Sequence, residues 1–361
     1  MKVALVTSIE RGGPVEHARL LARELVADGV AVRAVVATDA LAGAFAAAGA
    51  EPILLPLRPG LDAAGARRLA GAVRGVDVIH SHDRRAGLWG RLGPRPRRGG
   101  VRVHTLHGLP EPYLPPPAGP QRPSWRAALA YRGLERSLAR RTDALLAPSH
   151  GAADALAARI GYARPSITVV PNAVDAAAAV PSGSGELIGV VAALEPVKAI
   201  DGFVRAAARL AQERPGLRFA VFGDGPLAVE LRSLAEELRA PVEFAGWVPS
   251  GEALARLRVF VLPSYFETSG IALMEAMAAG VPAVATAVGG IPESAPDGLV
   301  ELVPPGDPQA LAAAVARVLD DPDGAARRAA AAREHVLREA TPRRTAELTR
   351  AVYERALAGR R

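Results

Sequence analysis

Two carboxylates eight positions apart, Glu267 and Glu275, bracket the stretch FETSGIALMEAMAAGVP at 266–282. Between them Thr268, Ser269 and Gly270 supply capping hydroxyls and a residue without a Cβ, where backbone can approach a ligand closely. From Ile271 the apolar positions Leu273, Met274 and Met277 predict a helix buried on one side, and Gly280 followed by Pro282 predicts its end. The free N–H groups of that helix start face back towards Glu267 and suit an anion such as a diphosphate. Glu275, two turns in, is placed to accept hydrogen bonds from sugar or ribose hydroxyls. A capped core helix with one solvated and one paired glutamate fits the same spacing, so the neighbouring segments have to decide.

Four other places carry chemistry. Gly12 and Gly13 follow the first apolar run and precede Pro14, so their amides and the helix start make an anion site or simply a tight turn. His80, His82, His104 and His107 fall near the ends of two strand-like runs, which makes zinc conceivable, though neither ligand spacing nor an open position supports it. His17 reads as structural. Of 44 basic residues only Lys2 and Lys198 are lysines, so Lys198 stands out as a cation for a leaving phosphate. Gly223 and Gly225 form a Gly-x-Gly with Ala228 in place of the third glycine. No acidic residue ends the following strand, which weakens a dinucleotide oxidoreductase. The single Asp-x-Asp, at Asp321 and Asp323, falls in a turn between helices and predicts no metal site.

FETSGIALMEAMAAGVPAVATAVGGIPE resembles the Glu-x7-Glu segment of the retaining, nucleotide-sugar-dependent glycosyltransferases of family 4, which have the GT-B fold. The resemblance extends, in the family's order, to VVPNAVD (169–175), ALEPVKAIDGFVRAAARL (193–210), FAVFGDGP (219–226) and FAGWVP (244–249), nearly the whole chain. It implies a donor diphosphate held by Gly12, Gly13, Lys198 and the helix start at Thr268, Ser269, Gly270 and Ile271. Glu275 would take the ribose, backbone around Val248 the base, and Glu267 with His107 the sugar, so that His107, Lys198 and Glu267 are the catalytic set. The implied chemistry is front-face transfer of a hexose from a UDP- or GDP-sugar, with no cofactor and no metal required. One departure matters: Ala192-Ala193-Leu194 stands where the family has Gly-Arg-Leu, so an Arg is missing at Ala193. Losing one charge clamp costs several kcal/mol of transition-state stabilisation. A catalytically weak or inactive nucleotide-sugar-binding protein, and a nucleotide-sugar epimerase of the same fold, therefore stay open.

The elements that must position these residues alternate from the start. Strand-like runs at 3–7, 32–36, 52–56, 77–82, 101–107 and 143–148 are separated by helix-length segments, and a second series runs through 186–192, 218–223, 242–246, 259–263 and 282–286. That predicts an α/β protein of two Rossmann-like doubly wound domains facing a cleft. The expected divisions are 1–178 on the acceptor side, 179–341 for the nucleotide-sugar, and 342–361 as a C-terminal helix that, by resemblance, crosses back to the first domain. The linker is expected at 176–185, and the proline-dense segment 109–123 near the acceptor.

Composition narrows the partners. Without Cys there is no disulfide, thiolate nucleophile or Cys-based metal site. Residues 1–180 hold 24 basic and 14 acidic side chains, the remainder 20 and 23. The excess includes seven arginines between Arg84 and Arg102, poor in aromatics, which reads as a solvated face rather than a nucleic-acid surface. Anionic lipid or a phosphorylated acceptor is the functional alternative. The acceptor stays open among a lipid-linked sugar, a small metabolite and a natural-product aglycone. A start interrupted by polar residues and no apolar run of 18 lead to a cytoplasmic protein, with peripheral contact at the inner membrane face in view.

Overall fold

The computed structural model describes all residues except 59–61, 94–95, 111–112, 115–124, 176–184 and 361. The expected linker and most of the proline-dense segment lie outside the described residues. The chain divides into two compact units, one built from Met1–Leu109, Trp125–Ala173 and the segment from Pro342 on, the other from Val174–Thr341 together with Pro110, Tyr113 and Leu114.

In unit 1, seven parallel strands, β1 (Lys2–Val6), β2 (Ala31–Val36), β3 (Glu51–Leu54), β4 (Val78–Ser81), β5 (Val101–Thr105), β6 (Ala144–Ala147) and β7 (Ile167–Val169), lie in the order 3-2-1-4-5-6-7. The order reverses at β1, so the ends of β1 and β4 form the switch point where ligands bind in such sheets. Helix α1 (Gly13–Ala27) follows β1 and buries Val15, His17, Leu21 and Leu25 against the sheet. Helices α2 (Asp39–Ala47), α3 (Ala63–Ala72), α4 (Arg84–Leu92), α5 (Trp125–Ala139) and α6 (His150–Ile160) complete the crossovers. Asp83 caps α4 through the Arg85 and Ala86 amides and also accepts from the Ser8 amide and hydroxyl, which fixes the loop ahead of Gly12.

The seven-arginine run is not simply a solvated face. Arg91 and Arg102 are buried, Arg91 because it forms a bidentate pair with Glu135 of α5 at 2.9 and 3.3 Å. Arg91 Nε also donates to Gly87 O, and the Tyr162 hydroxyl donates to Glu135. A guanidinium can be buried only when its fork is met in this way.

Unit 2 holds six parallel strands, β8 (Leu187–Val191), β9 (Arg218–Phe222), β10 (Val242–Gly246), β11 (Leu257–Leu262), β12 (Ala283–Thr286) and β13 (Glu301–Val303), in the order 10-9-8-11-12-13. Helices α7 (Ile200–Glu213), α8 (Ala228–Glu237), α9 (Ser250–Ala255), α10 (Ile271–Ala278), α11 (Ile291–Ser294), α12 (Pro308–Asp320) and α13 (Pro322–Glu339) flank the sheet. The helix expected from Ile271 is α10. It ends where Gly280 takes φ +73° and the Gly280 and Val281 amides turn back to Met277 and Ala276.

The last helix, α14 (Pro342–Ala358), belongs to unit 1. It buries Thr345, Ala346, Thr349, Val352 and Tyr353, donates from Thr345 Oγ1 to Pro171 O at 2.9 Å, and sets Arg343 and Arg350 on Asp28 at the end of α1.

Candidate functional site

Lys198 and Glu267 meet within unit 2 although 69 residues separate them. The chain leaves β8 through a tight turn at 192–194 and a 3₁₀ turn at Pro196–Lys198, whose end sits at Ala199 with φ +49°. That left-handed position costs a residue with a Cβ roughly 1–2 kcal/mol, and it presents Lys198 just ahead of α7. Lys198 Nζ donates to Glu267 Oε1 at 2.7 Å, and the Ser264 hydroxyl donates to the same oxygen at 2.7 Å. Ser264, two residues past the end of β11, is fully buried, and the Thr286 hydroxyl donates to its carbonyl at 2.6 Å. The Tyr265 amide donates to Val197 O, tying the two loops together.

Glu267 is also pinned through its backbone. Its carbonyl accepts from the Gly290 amide at 3.0 Å, and a Cβ on Gly289 would lie 1.9 Å from the same oxygen. Only glycine fits there. Three residues on, Gly270 takes φ +66° as the N-cap of α10, and no side chain caps that helix. The cap position falls to Gly270 rather than to the half-buried Thr268 or the buried Ser269. Ile271 opens α10, and its first-turn amides remain for an anion beside a lysine. Glu275 is half-buried on α10.

Val248, after β10, packs its side chain on the core of unit 2, which leaves its backbone for recognition. Gly223 and Gly225 are glycines for a packing reason: a Cβ would lie 1.8 Å from Ala192 O at the first and 2.7 Å from Leu194 O at the second. The 192–194 turn presses on them and leaves Ala193 exposed. Asp321 spends its carboxylate on the Gly324 amide as the cap of α13.

Unit 1 presents a second constellation. Gly12, at φ +106°, is the N-cap of α1, and its carbonyl takes the Val15 and Glu16 amides, so Gly13 stands at the open end of the helix. His107, half-buried after β5, lies with its ring centroid 5.1 Å from that of His17 and 5.7 Å from that of His82. His17 was not legible as part of this group. His80 lies beside His82 but is a satisfied core residue, with Nδ1 2.6 Å from the Tyr353 hydroxyl and Nε2 2.7 Å from Thr105 Oγ1. His104 lies elsewhere, bonded to Ser81.

Burial pulls all five of these imidazoles below their ordinary value, and neighbouring histidines push most of them further down. For His17 the result is about 4, with Asn172 beside the ring pulling the other way. The unfolded chain therefore binds more protons below pH 6.5, so stability present at neutral pH is lost as the pH falls from about 6.5 towards 4. His17 alone removes on the order of 2 kcal/mol by about pH 5. Thermal melts in EDTA between about pH 7.5 and 5 are expected to show a progressively lower Tm. An unchanged Tm across that window would refute the account.

Two parallel α/β units, each with its loops at the carboxyl edge of the sheet, define the GT-B class of glycosyltransferase folds. Residues 11–178 match the model described as Glycosyltransferase Family 4, and residues 185–321 the model described as Glycosyl transferases group 1. D-inositol 3-phosphate glycosyltransferase of Actinosynnema mirum is 31% identical over 308 residues, which cover 77% of this chain and 71% of that protein. The chain belongs to glycosyltransferase family 4. Glycogen synthase of Mycobacterium tuberculosis is 35% identical over 240 residues, 63% of this chain, and the match spans 58% of that enzyme's length. Among solved structures, Anabaena HepE in complex with UDP-glucose superposes with a TM-score of 0.83 at 18% identity, covering 99% of this chain and 100% of that one. At that identity the likeness shows the fold.

Proposed function

We propose that the protein transfers a hexose from a UDP- or GDP-sugar to an acceptor hydroxyl, with retention at the anomeric carbon and no requirement for a metal. The observation that carries this reading is the Lys198–Glu267 pair, held by Ser264, with Glu267 three residues before Gly270, the N-cap of α10. Expulsion of a nucleoside diphosphate builds negative charge on phosphate, and a fixed ammonium beside free helix amides is placed to meet it. Glu267 then takes a sugar hydroxyl and Glu275 the ribose. Gly12, Gly13 and His107 take the roles that the family resemblance gives them, an amide pair for phosphate and an imidazole for the sugar. The leaving phosphate oxygen accepts the acceptor's proton as the new glycosidic bond forms on the same face.

Calorimetric titration with UDP and with GDP, each with and without EDTA, tests this reading. Micromolar binding of one nucleotide that survives EDTA is expected, and it names the base. Absence of binding by both would sink the assignment. The open surface at Ala193 favours a second reading, a sugar-nucleotide-binding protein with little turnover. Robust transfer by the unaltered protein would exclude it, and product analysis without acceptor separates an epimerase.

For the acceptor side, α5 exposes Trp125 and Leu129, with Arg126 lying over the Trp125 ring. Among the described residues no helix is long and apolar enough to cross a membrane. An apolar face flanked by arginines suits the surface of an anionic bilayer and so an acceptor presented there.

A further inference from the structure

We propose that His17, His82 and His107 form a three-imidazole site for a divalent transition metal of the zinc class, separate from any cation the transfer reaction needs. One ring nitrogen from each residue lies within 4.8 Å of the other two. His82 Nδ1 and His107 Nε2 are 3.4 Å apart. Zinc–imidazole bonds of about 2.0–2.1 Å at the tetrahedral angle place ligand nitrogens roughly 3.3–3.4 Å apart, so one edge of the site already has the right length. The other edges close with a ring movement of at most about 1.4 Å, the scale of a rotation of the half-buried His107 about its side-chain bonds.

A second observation points to a ligand. Among the described residues, His17 Nδ1 is buried with no hydrogen-bond partner. An orphaned buried nitrogen is costly, and a metal ion is one group that takes its lone pair. His80 and Asn172 pack beside the cluster, and Gly108, next to His107, is exposed. Three protein ligands leave the fourth position for water, as in an open site.

The consequence for activity rests on the proposed function. With His107 assigned to the donor sugar, an occupied site competes with turnover, and micromolar zinc inhibits while EDTA restores activity. Metal binding itself does not rest on that reading and is tested without any sugar nucleotide.

The experiment is a titration of tag-free protein with Co²⁺. The expected result is visible d–d bands of the intensity given by four- or five-coordinate cobalt, saturating at one equivalent and abolished by Zn²⁺. Replacing a ligand should weaken affinity by more than the roughly 10–100-fold that loss of an outer-sphere partner costs, so His82→Gln and His17→Gln should lose the bands. His150→Gln, outside the cluster, should keep them. Circular dichroism reports whether each variant folds, and His107→Gln, at the half-buried rim, serves if the buried changes do not. Bands that never saturate at one equivalent, or that persist in folded variants, overturn the proposal. So does a wild-type Tm that does not rise with added zinc.

Discussion

Lys198→Ala is expected to lower kcat by roughly 10²–10³-fold, the cost of removing one preorganised donor from a site of developing oxyanion charge. The donor KM should change less, because the charge that Lys198 meets is greatest when the phosphate leaves. The pair geometry complicates the reading. Glu267 is 8% exposed, and without Lys198 it keeps the Ser264 hydroxyl but loses its cation, so the single change also disturbs a buried carboxylate. A cycle with Glu267→Gln resolves this. If Lys198 only holds Glu267, adding Lys198→Ala to the glutamine variant costs no further kcat and leaves UDP or GDP affinity unchanged. If Lys198 meets the phosphate, the loss persists in that background. Steady-state kinetics of the four proteins, with calorimetry on each, distinguishes the two, and the first outcome would remove Lys198 from the catalytic set.

The second large effect concerns stability. Glu135→Ala strips the buried Arg91 of both carboxylate contacts and leaves the Tyr162 hydroxyl without its acceptor. Burial and the adjacent Glu135 carboxylate push the Tyr162 phenol well up, so it stays neutral and must donate. Breaking a buried ion pair from one side costs about 3–5 kcal/mol, enough to take much of a domain's stability. Urea unfolding is expected to show a loss of that size. Replacing Arg91 and Glu135 together with leucine and methionine should recover most of it, since an apolar pair of similar volume leaves no charge unpaired. A Glu135→Ala protein as stable as its parent would mean that water reaches Arg91.

The two units and their strand alternation were legible because parallel strands buried on both faces read as continuous apolar runs. β7 and β13 were not, since each is a three-residue edge strand with no run to show. Around Glu267 the contiguous motif could be read, and the structure supplies what the motif lacks. Ser264 sits three residues upstream, just past β11, and Gly289 leaves room for the Glu267 carbonyl from a loop more than twenty residues later. Arg91 looked like part of a solvated run because its partner lies 44 residues away on another helix. His17 looked structural for a similar reason. Its neighbours arrive from the ends of β4 and β5, and only the strand order places them beside α1.

The position of α14 has a consequence for how the chain is made. Unit 1 starts upstream of unit 2, yet Tyr353, which meets His80 in its interior, follows the whole of unit 2. At about 5–20 residues per second the ribosome needs roughly 10–30 s to pass from Val174 to Thr341. Throughout that interval the part of unit 1 already made has a sheet whose α14 face is uncovered, whereas unit 2 is complete as soon as Thr341 has been added. The half begun first is therefore the half finished last, and nascent chains of this protein expose an apolar surface that chaperones can recognise until the closing helix is released.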